Sequence, residues 1–512
     1  MAIGRLGKML AICAVLATAF LVVSASAQSK ARIVRLSEVQ GTVKIDRAAG
    51  QGFEKAFMNL PVIEGSKLKT GADGRAEVEF EDGSALRLGH ATEVVFTGLS
   101  LGDAGQKIDV VQLVSGTAYV DLHPKAYGKG KAADQFQLNF GHESLTVPEA
   151  AHFRVELDGA REATIAVFKG KVRATGRSGE FTVAEKHTAT VDFADNNAAK
   201  NDVAKNDDPK NDELNNDQLK NDAKSDDPKN APGENVAAKV DPAKADPPQA
   251  DPTAKDTFTI ARDYDPAPSD EWDQQQTDYH DRYALAAGAS NLSSPYSYGL
   301  SDLNYYGSYM NCPGYGFGWQ PYFINAGWNP FQDGGWMWYP GSGYTFVSAY
   351  PWGWMPYRYG SWALAGGCGW MWQPGSWSNW YAIPPVVNPP RGIVPRPPVV
   401  GHAAVMLGKG LSADPAVATP RRLTINPGSA GFGVPRGSVR HLDRFAKTMD
   451  RTPRPLVVST IRPPAPQPMT VFGPGQDPWR GETGLPHSEM GGMSQGIEHH
   501  SAAPSAPASH PH

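Results

Sequence analysis

From about residue 194 to residue 257 the chain carries almost nothing that could fill an apolar core, and that gap constrains everything on either side of it. Lys-Asn-Asp recurs at Lys200, Lys205, Lys210 and Lys220, among Asp-Pro pairs. Ordering such a segment costs about 1–2 kcal/mol per residue in backbone entropy, with no buried surface to offset it. A disordered linker is therefore expected over 194–263, dividing the core-forming residues into one lot before it and another after it.

Residues 30–193 read as one all-β domain. Ala76-Glu77-Val78-Glu79-Phe80 alternates, Asp82-Gly83 supplies a turn, and Ala85-Leu86-Arg87-Leu88 returns. Period-2 patterning sends Val78, Phe80, Leu86 and Leu88 to one buried face. It leaves Glu77 and Glu79 on an exposed face, with Arg87 placed to offset their charge. Further strands are expected at 39–45, 117–122, 135–140, 153–157, 165–167 and 181–191. Half-apolar strands must close on another layer, as a two-sheet sandwich or a short β-solenoid.

The second lot, residues 264–383, is a Gly- and aromatic-rich module in which eleven of the chain's 13 tryptophans fall between Trp319 and Trp380. Gly318-Trp319-Gln320-Pro321-Tyr322 matches Gly353-Trp354-Met355-Pro356-Tyr357, and Gly335-Trp336-Met337-Trp338 matches Gly369-Trp370-Met371-Trp372. This recurrence predicts a duplicated unit of about 35 residues, each copy packing on the other. The rings either fill the module's own core or present a recognition surface formed by Trp319, Tyr322, Trp336, Trp354, Tyr357, Trp362, Trp370 and Trp372. Cys312 and Cys368 are a candidate disulfide.

Residues 384–512 read as a disordered, Pro-rich and His-containing tail, with a short helix near 438–448. Its stretch between residues 391 and 462 is basic, with 12 Lys or Arg against three Asp. At the other end, Arg5 and Lys8 precede the apolar run 9–23 and then Ser24-Ala25-Ser26-Ala27, the pattern of a cleaved signal peptide over 1–27. The mature chain is thus expected outside the cytoplasm, periplasmic or at the cell surface. No later stretch approaches the roughly 20 apolar residues of a membrane-spanning helix.

Nothing in the sequence calls for catalysis. There is no G-x-S-x-G elbow, H-E-x-x-H, Walker loop or dinucleotide fingerprint. His90, His123, His142, His152 and His187 are scattered and read as surface or locally bonded side chains. His499, His500, His510 and His512 sit in an Ala- and Pro-rich tail where metal binding would be adventitious. No catalytic, cofactor or metal residue is assigned. With a net charge of -5 spread over 512 residues, nucleic acid is not an expected partner.

Ile63-Glu64-Gly65-Ser66-Lys67-Leu68-Lys69-Thr70-Gly71, then Phe80-Glu81-Asp82-Gly83-Ser84, resembles the FecR domain family of bacteria, as do Val114-Ser115-Gly116-Thr117-Ala118-Tyr119-Val120 and Val167-Phe168-Lys169-Gly170-Lys171-Val172. The likeness runs over about 35–192. It implies a domain that contacts an envelope protein, and in the family's signal regulators a sigma-regulating cytoplasmic part as well. Only eight residues precede the apolar run, so that part is expected to be absent here. Pro351-Trp352-Gly353-Trp354-Met355-Pro356-Tyr357-Arg358-Tyr359-Gly360-Ser361-Trp362 resembles an uncharacterised Trp/Tyr/Gly-rich module that follows FecR-like domains in exported proteins.

The resulting expectation is a non-catalytic envelope scaffold in which the β domain docks a protein partner, the linker gives reach and the aromatic module makes a second contact. The alternatives are a module that binds cell-wall glycan or peptidoglycan through its rings, and an enzyme with an unrecognised site; an anionic surface polymer is a further possible partner, for the basic stretch 391–462. N-terminal sequencing of the exported protein should read from Gln28; an intact Met1 would remove the export argument.

Overall fold

The computed structural model describes residues 32–123, 133–159, 161–194, 255–284, 292–411 and 422–460. The signal segment, most of the linker and the tail histidines lie outside the described residues.

The β domain is built as its patterning predicts, with breaks where the backbone demands them. Ala85–Leu88 and Gln135–Phe140 fall where alternation puts them, and Arg75–Glu79 lies within one residue. The strand expected over 39–45 is two, Val34–Gln40 and Val43–Asp46, because Gly41 turns the chain at φ 61°. A Cβ at Gly41 would sit 2.3 Å from the Asp73 carbonyl oxygen, so the turn requires glycine. The expected 181–191 strand likewise breaks into Gly179–Ala184 and His187–Asp192 at Lys186, φ 58°.

The ladders fall into two sets joined by the long strand Lys107–Leu122. Its first half pairs with Glu93–Leu101 and, in parallel, with Gln135–Phe140; its second half pairs with Ala85–Leu88 and Ala151–Asp158. Val43, Leu68 and Phe96 from one set and Leu36, Val78 and Val155 from the other share one apolar cluster. The mixed sheet is thus folded across a single core, as half-apolar strands require.

Beyond this domain come α1 (Asp270–Ala284) and α2 (Leu300–Tyr306), then paired strands, a single turn α3 (Met355–Arg358) and, later, α4 (Leu442–Arg451). Gly307–Cys312, Gly316–Pro321, Gly369–Gln373, Ser361–Ala365 and Val386–Val387 form one sheet; Gly343–Ser348, Gly334–Tyr339 and Val405–Leu407 form another. The matched passages fold alike in one pair, since Gly335–Trp338 and Gly369–Trp372 both lie in strands, though of different sheets, and differently in the other. Gly318 to Pro321 ends a strand, whereas Met355-Pro356-Tyr357 opens α3, with proline in the first turn where its missing N–H is harmless. The structure shows no duplicated unit here. Cys312 and Cys368 are bonded, closing the two hairpins of the first sheet on each other.

Three expectations about boundaries are corrected. The linker is not a spacer between two bodies: Thr257–Arg262, placed within it by composition, is a strand paired with His187–Asp192, and Asp192 lies opposite Thr257. The two ends of the intervening segment are therefore neighbours in one sheet. The module is not separate from the β domain, since Met337, Tyr339, Val347 and Ala349 belong to the β domain's apolar cluster. Nor is the chain beyond 384 wholly tail, because 422–425 pairs with 456–459 and α4 packs its Leu442, Ala446 and Met449 into the aromatic core.

Replacing residues 195–254 by a short Gly/Ser turn should leave the body folded. Thermal unfolding should stay the same or rise, since each halving of a closed loop saves roughly 0.6 kcal/mol of entropy. Loss of the cooperative transition would show instead that the excursion helps to hold the body.

Candidate functional site

Strand Arg75–Glu79 aims Ala76 and Val78 at the β core, so alternation sends Glu77 and Glu79 to the opposite face, as the sequence predicts. That face is not in water. The helices α1 and α2 and the segment around Arg436 cover it, leaving Glu77 0% and Glu79 2% exposed, which corrects their reading as a solvated strand face. Patterning reports which face a side chain takes, and it is silent on what later lies over it.

The covering elements bring the partners. Glu77 accepts hydrogen bonds from Arg436 at 2.6 Å, Arg87 at 2.8 Å and the Ser37 hydroxyl at 2.7 Å, and lies 3.0 Å from His280 Nε2. Glu79 accepts from Arg35 and from the Gly299 N–H. Asp302 on α2 receives Arg35 at 2.6 Å, Arg436 and the Tyr279 hydroxyl. On α1, Asp273 binds Arg87 at 2.7 Å and lies 2.7 Å from His152, and Asp270 takes Arg154 and the Tyr119 hydroxyl. His152 is thus bonded, across 121 residues of sequence rather than locally.

Burial, which favours the neutral form, competes here with ion pairing. Burial pushes the Glu77 carboxyl up, but His280, Arg436 and Arg87 outweigh it and hold the group well below the usual carboxylate range. At Glu79 burial wins: His280 and Arg35 offset it only in part, while Asp302 and Glu77 add repulsion, and the group is raised. Glu38 is raised in the same way, with Arg436 as its main offset. Asp302 is lowered, because Arg436 and Arg35 overcome its burial. The seam therefore balances its charge by keeping some carboxyls ionised and pushing others toward neutrality.

The aromatic module uses its rings inwardly. Trp319, Trp354, Tyr357, Trp362 and Trp372 are 0% exposed, and Trp336 and Trp370 are buried too. They form one cluster with Tyr350 and Trp352, whose rings stack 4.9 Å apart. Of the eight residues read as a recognition surface, Tyr322 alone is part-exposed. At the centre, Arg358 is 0% exposed and faces no carboxylate among the described residues. It donates to the carbonyls of Phe346, Tyr357, Tyr381 and Ala382 and lies over the rings of Trp354 and Trp380, and burial lowers its pKa to about 10.

Tyr322 leads to a surface feature that sequence reasoning missed. A cleft of about 380 Å³ opens between the end of α1, α2, strand Gly307–Cys312 and the start of α4. Arg282, Tyr283, Asn304, Tyr309, Tyr322, Arg440 and Asp443 line it. Elsewhere on the body, concavities beside Phe57 and beside Phe136 have room for about 20 Å³ each, the size of a water. Among the described residues no cluster of His, Cys, Asp and Glu could hold a metal ion, and no helix is long and apolar enough to cross a membrane.

Glu77→Gln should cost about 3–5 kcal/mol in urea unfolding, because it removes the carboxylate that Arg436, Arg87 and His280 share in a buried site. Glu79→Gln, which mimics the neutral form, should cost less than about 1 kcal/mol. The pH responses have opposite signs. Stability from Glu77 and Asp302, whose pKa values are lowered, is present above the ordinary carboxylate range and drains as pH falls through it. Stability from the raised Glu79 is full below that range and is lost as pH rises through its folded value, so Glu79→Gln should flatten the loss on the alkaline side. Equal costs for the two variants would contradict this assignment.

Residues 66–173 match the family model described as FecR protein, and residues 300–389 match a family of unknown function, DUF6600. A comparison with curated proteins finds no match. Two crystal structures of a proposed anti-sigma factor from Parabacteroides distasonis, at 1.65 and 2.50 Å, align at 16% identity with a TM-score of 0.21. In each, 25% of this chain covers 54% of that one, so the likeness spans about half of the solved protein and bears on neither fold nor role. What the comparisons establish is that a FecR-like domain and an aromatic, Gly-rich module of unknown function stand together in this chain.

Proposed function

We propose that this chain is a non-catalytic, extracytoplasmic interaction protein that docks an envelope protein through one rigid body, not through two contacts on a tether. The observation that carries this reading is the edge of the FecR-like sheet. Thr257–Arg262 is paired along one side, to His187–Asp192, and all six of its residues are exposed. Phe258 and Ile260 stand 37% and 45% exposed, with Tyr264 at 40% beside them.

A sheet edge offers a row of main-chain donors and acceptors, and proteins usually guard it with charge, a bulge or cover. Here no strand covers the second edge among the described residues, and apolar side chains line it. Phe258 is held in place by stacking on Phe181 at 4.1 Å, which reduces the entropy lost on contact. An extended segment of a partner protein, added as a further strand, is the occupant that this edge fits. The seam supports the non-catalytic part of the reading: its ionisable groups are spent on one another, and the concavity beside Glu38 and Arg436 has room for about 20 Å³, the size of a water.

The expected export signal and the resemblance of the β domain to FecR support an extracytoplasmic compartment and an envelope protein as partner. The full mature chain, not an isolated β domain, is the right bait, since a fragment ending at 193 would uncover Glu77 and Glu79. Pull-down from an envelope extract should recover a discrete protein, and Ile260→Lys should lower its capture about tenfold, the effect of ~1.4 kcal/mol, without changing the melting temperature. Undiminished capture by that variant would remove the edge strand from the interface, and no captured protein would remove the docking reading.

A further inference from the structure

The cleft lined by Tyr309 and Tyr322 takes no part in the proposed docking edge, and its lining has a distinct chemistry. Its volume, about 380 Å³, falls within the range of small-molecule sites. Two arginines, Arg282 and Arg440, are exposed at its rim beside the Tyr283 hydroxyl. Neither is drawn into an ion pair with a carboxylate among the described residues. Arg35, Arg87 and Arg436 are engaged by the carboxylates of the seam, whereas the rim arginines have charge to offer.

The walls are built to stay still. Tyr309 stacks flat on Phe317, at 3° and 5.7 Å, and its hydroxyl donates to Asn304 Oδ1. The Asn304 amide in turn donates to the Tyr283 carbonyl at 2.6 Å, and the Tyr283 hydroxyl reaches the Arg440 carbonyl. Tyr305 behind them is locked to Val439 by its hydroxyl, which ties α2 to the segment carrying Arg440. Burial, with Asp443 nearby, raises the Tyr322 hydroxyl to about 12, so it remains a neutral donor across the physiological range. The cleft is therefore preorganised, and ligand binding would not have to order it.

We propose that this cleft binds a carboxylated saccharide. Tyrosine rings give flat apolar faces for the C–H faces of a sugar ring, while the Asn304 amide and the Asp443 carboxylate suit hydroxyl groups. Arg282 and Arg440 supply the charge-assisted bonds that a carboxylate takes. Leu442 is the one aliphatic side chain in the lining, so there is no apolar pocket for the side chains of a peptide. Asp443, facing the same space, would repel a densely anionic ligand and favours one with carboxylates spaced among hydroxyls.

Calorimetric titration of the full mature chain tests this. The probes are oligogalacturonides, whose carboxylate is a uronate, muramic-acid-containing glycan fragments, whose carboxylate is a lactyl ether, neutral cello-oligosaccharides, and poly-glutamate. At least one acidic saccharide should bind, and which one does so identifies the source of the carboxylate; the neutral sugars should bind about tenfold or more weakly. Arg282→Gln with Arg440→Gln should lower that affinity by about tenfold or more and reduce its salt dependence. Tyr322→Leu should weaken binding while Tyr322→Phe retains it, and near-ultraviolet circular dichroism checks that each variant is folded. Binding of neither acidic saccharide, binding indifferent to both arginines, or equal binding of poly-glutamate would overturn the proposal. None of these outcomes bears on the edge strand, which a separate variant tests.

Discussion

The structure depends on the placement of Arg436 beside Glu77 and Asp302, because that contact brings together three parts of the chain that are far apart in sequence. Arg436 reaches Glu77 across 359 residues and Asp302 across 134. Each group taken alone would be costly to bury; together they satisfy one another, and removing any one leaves a charge stranded. Such a seam adds less net stability than an apolar contact of equal area, but it is selective. A slipped docking of α1 or α2 on the sheet would misalign Asp273 with Arg87 and Asp302 with Arg35, so the seam specifies one arrangement.

Beside the seam, the aromatic cluster supplies the burial. Its rings pack at centroid distances of about 5–6 Å in stacked, tilted and edge-on arrangements, as in Trp319 with Trp352 and Trp328 with Trp362. Several indole N–H groups find carbonyls, Trp319 at Leu303 and Trp352 at Ala430, which joins the cluster to α2 and to the segment before Arg436. Arg358 acts differently from the seam arginines. It gathers carbonyl oxygens from four residues, and the rings of Trp354 and Trp380 take the place of a counter-charge. The Trp-Gly-Trp-Met-Pro-Tyr-Arg passage is thus a folding device, which accounts for the burial of rings that composition alone left open as core or surface.

The strands of the β domain were legible because a sheet with one buried face writes a period of two into its residues, and Ala85–Leu88 shows it plainly. The all-β reading followed from that, while the FecR-like region was legible through the resemblance of passages such as Ile63–Gly71 and Phe80–Ser84. The polar helix α1 was not legible: Asp273, Thr277 and His280 lie on one helical face, yet a polar stripe has no apolar signature and reads as loop. Its partners Arg87, Asp121 and Glu77 can be named only once the sheet and the helix are side by side. The cleft was invisible for the same reason, since Arg282, Asn304, Tyr322 and Arg440 come from separate segments.

By itself the sequence determined the strand-rich character of the first half, the pairing options of Cys312 and Cys368, and the aromatic content of the second half. All of these are written in local spacing and composition. Only the tertiary structure decided that the two halves are one body, that residues 193–256 begin and end at neighbouring positions in one sheet, and that Glu77 and Glu79 are interior. Those facts depend on which surfaces meet, and local patterning encodes that a face exists without encoding what covers it.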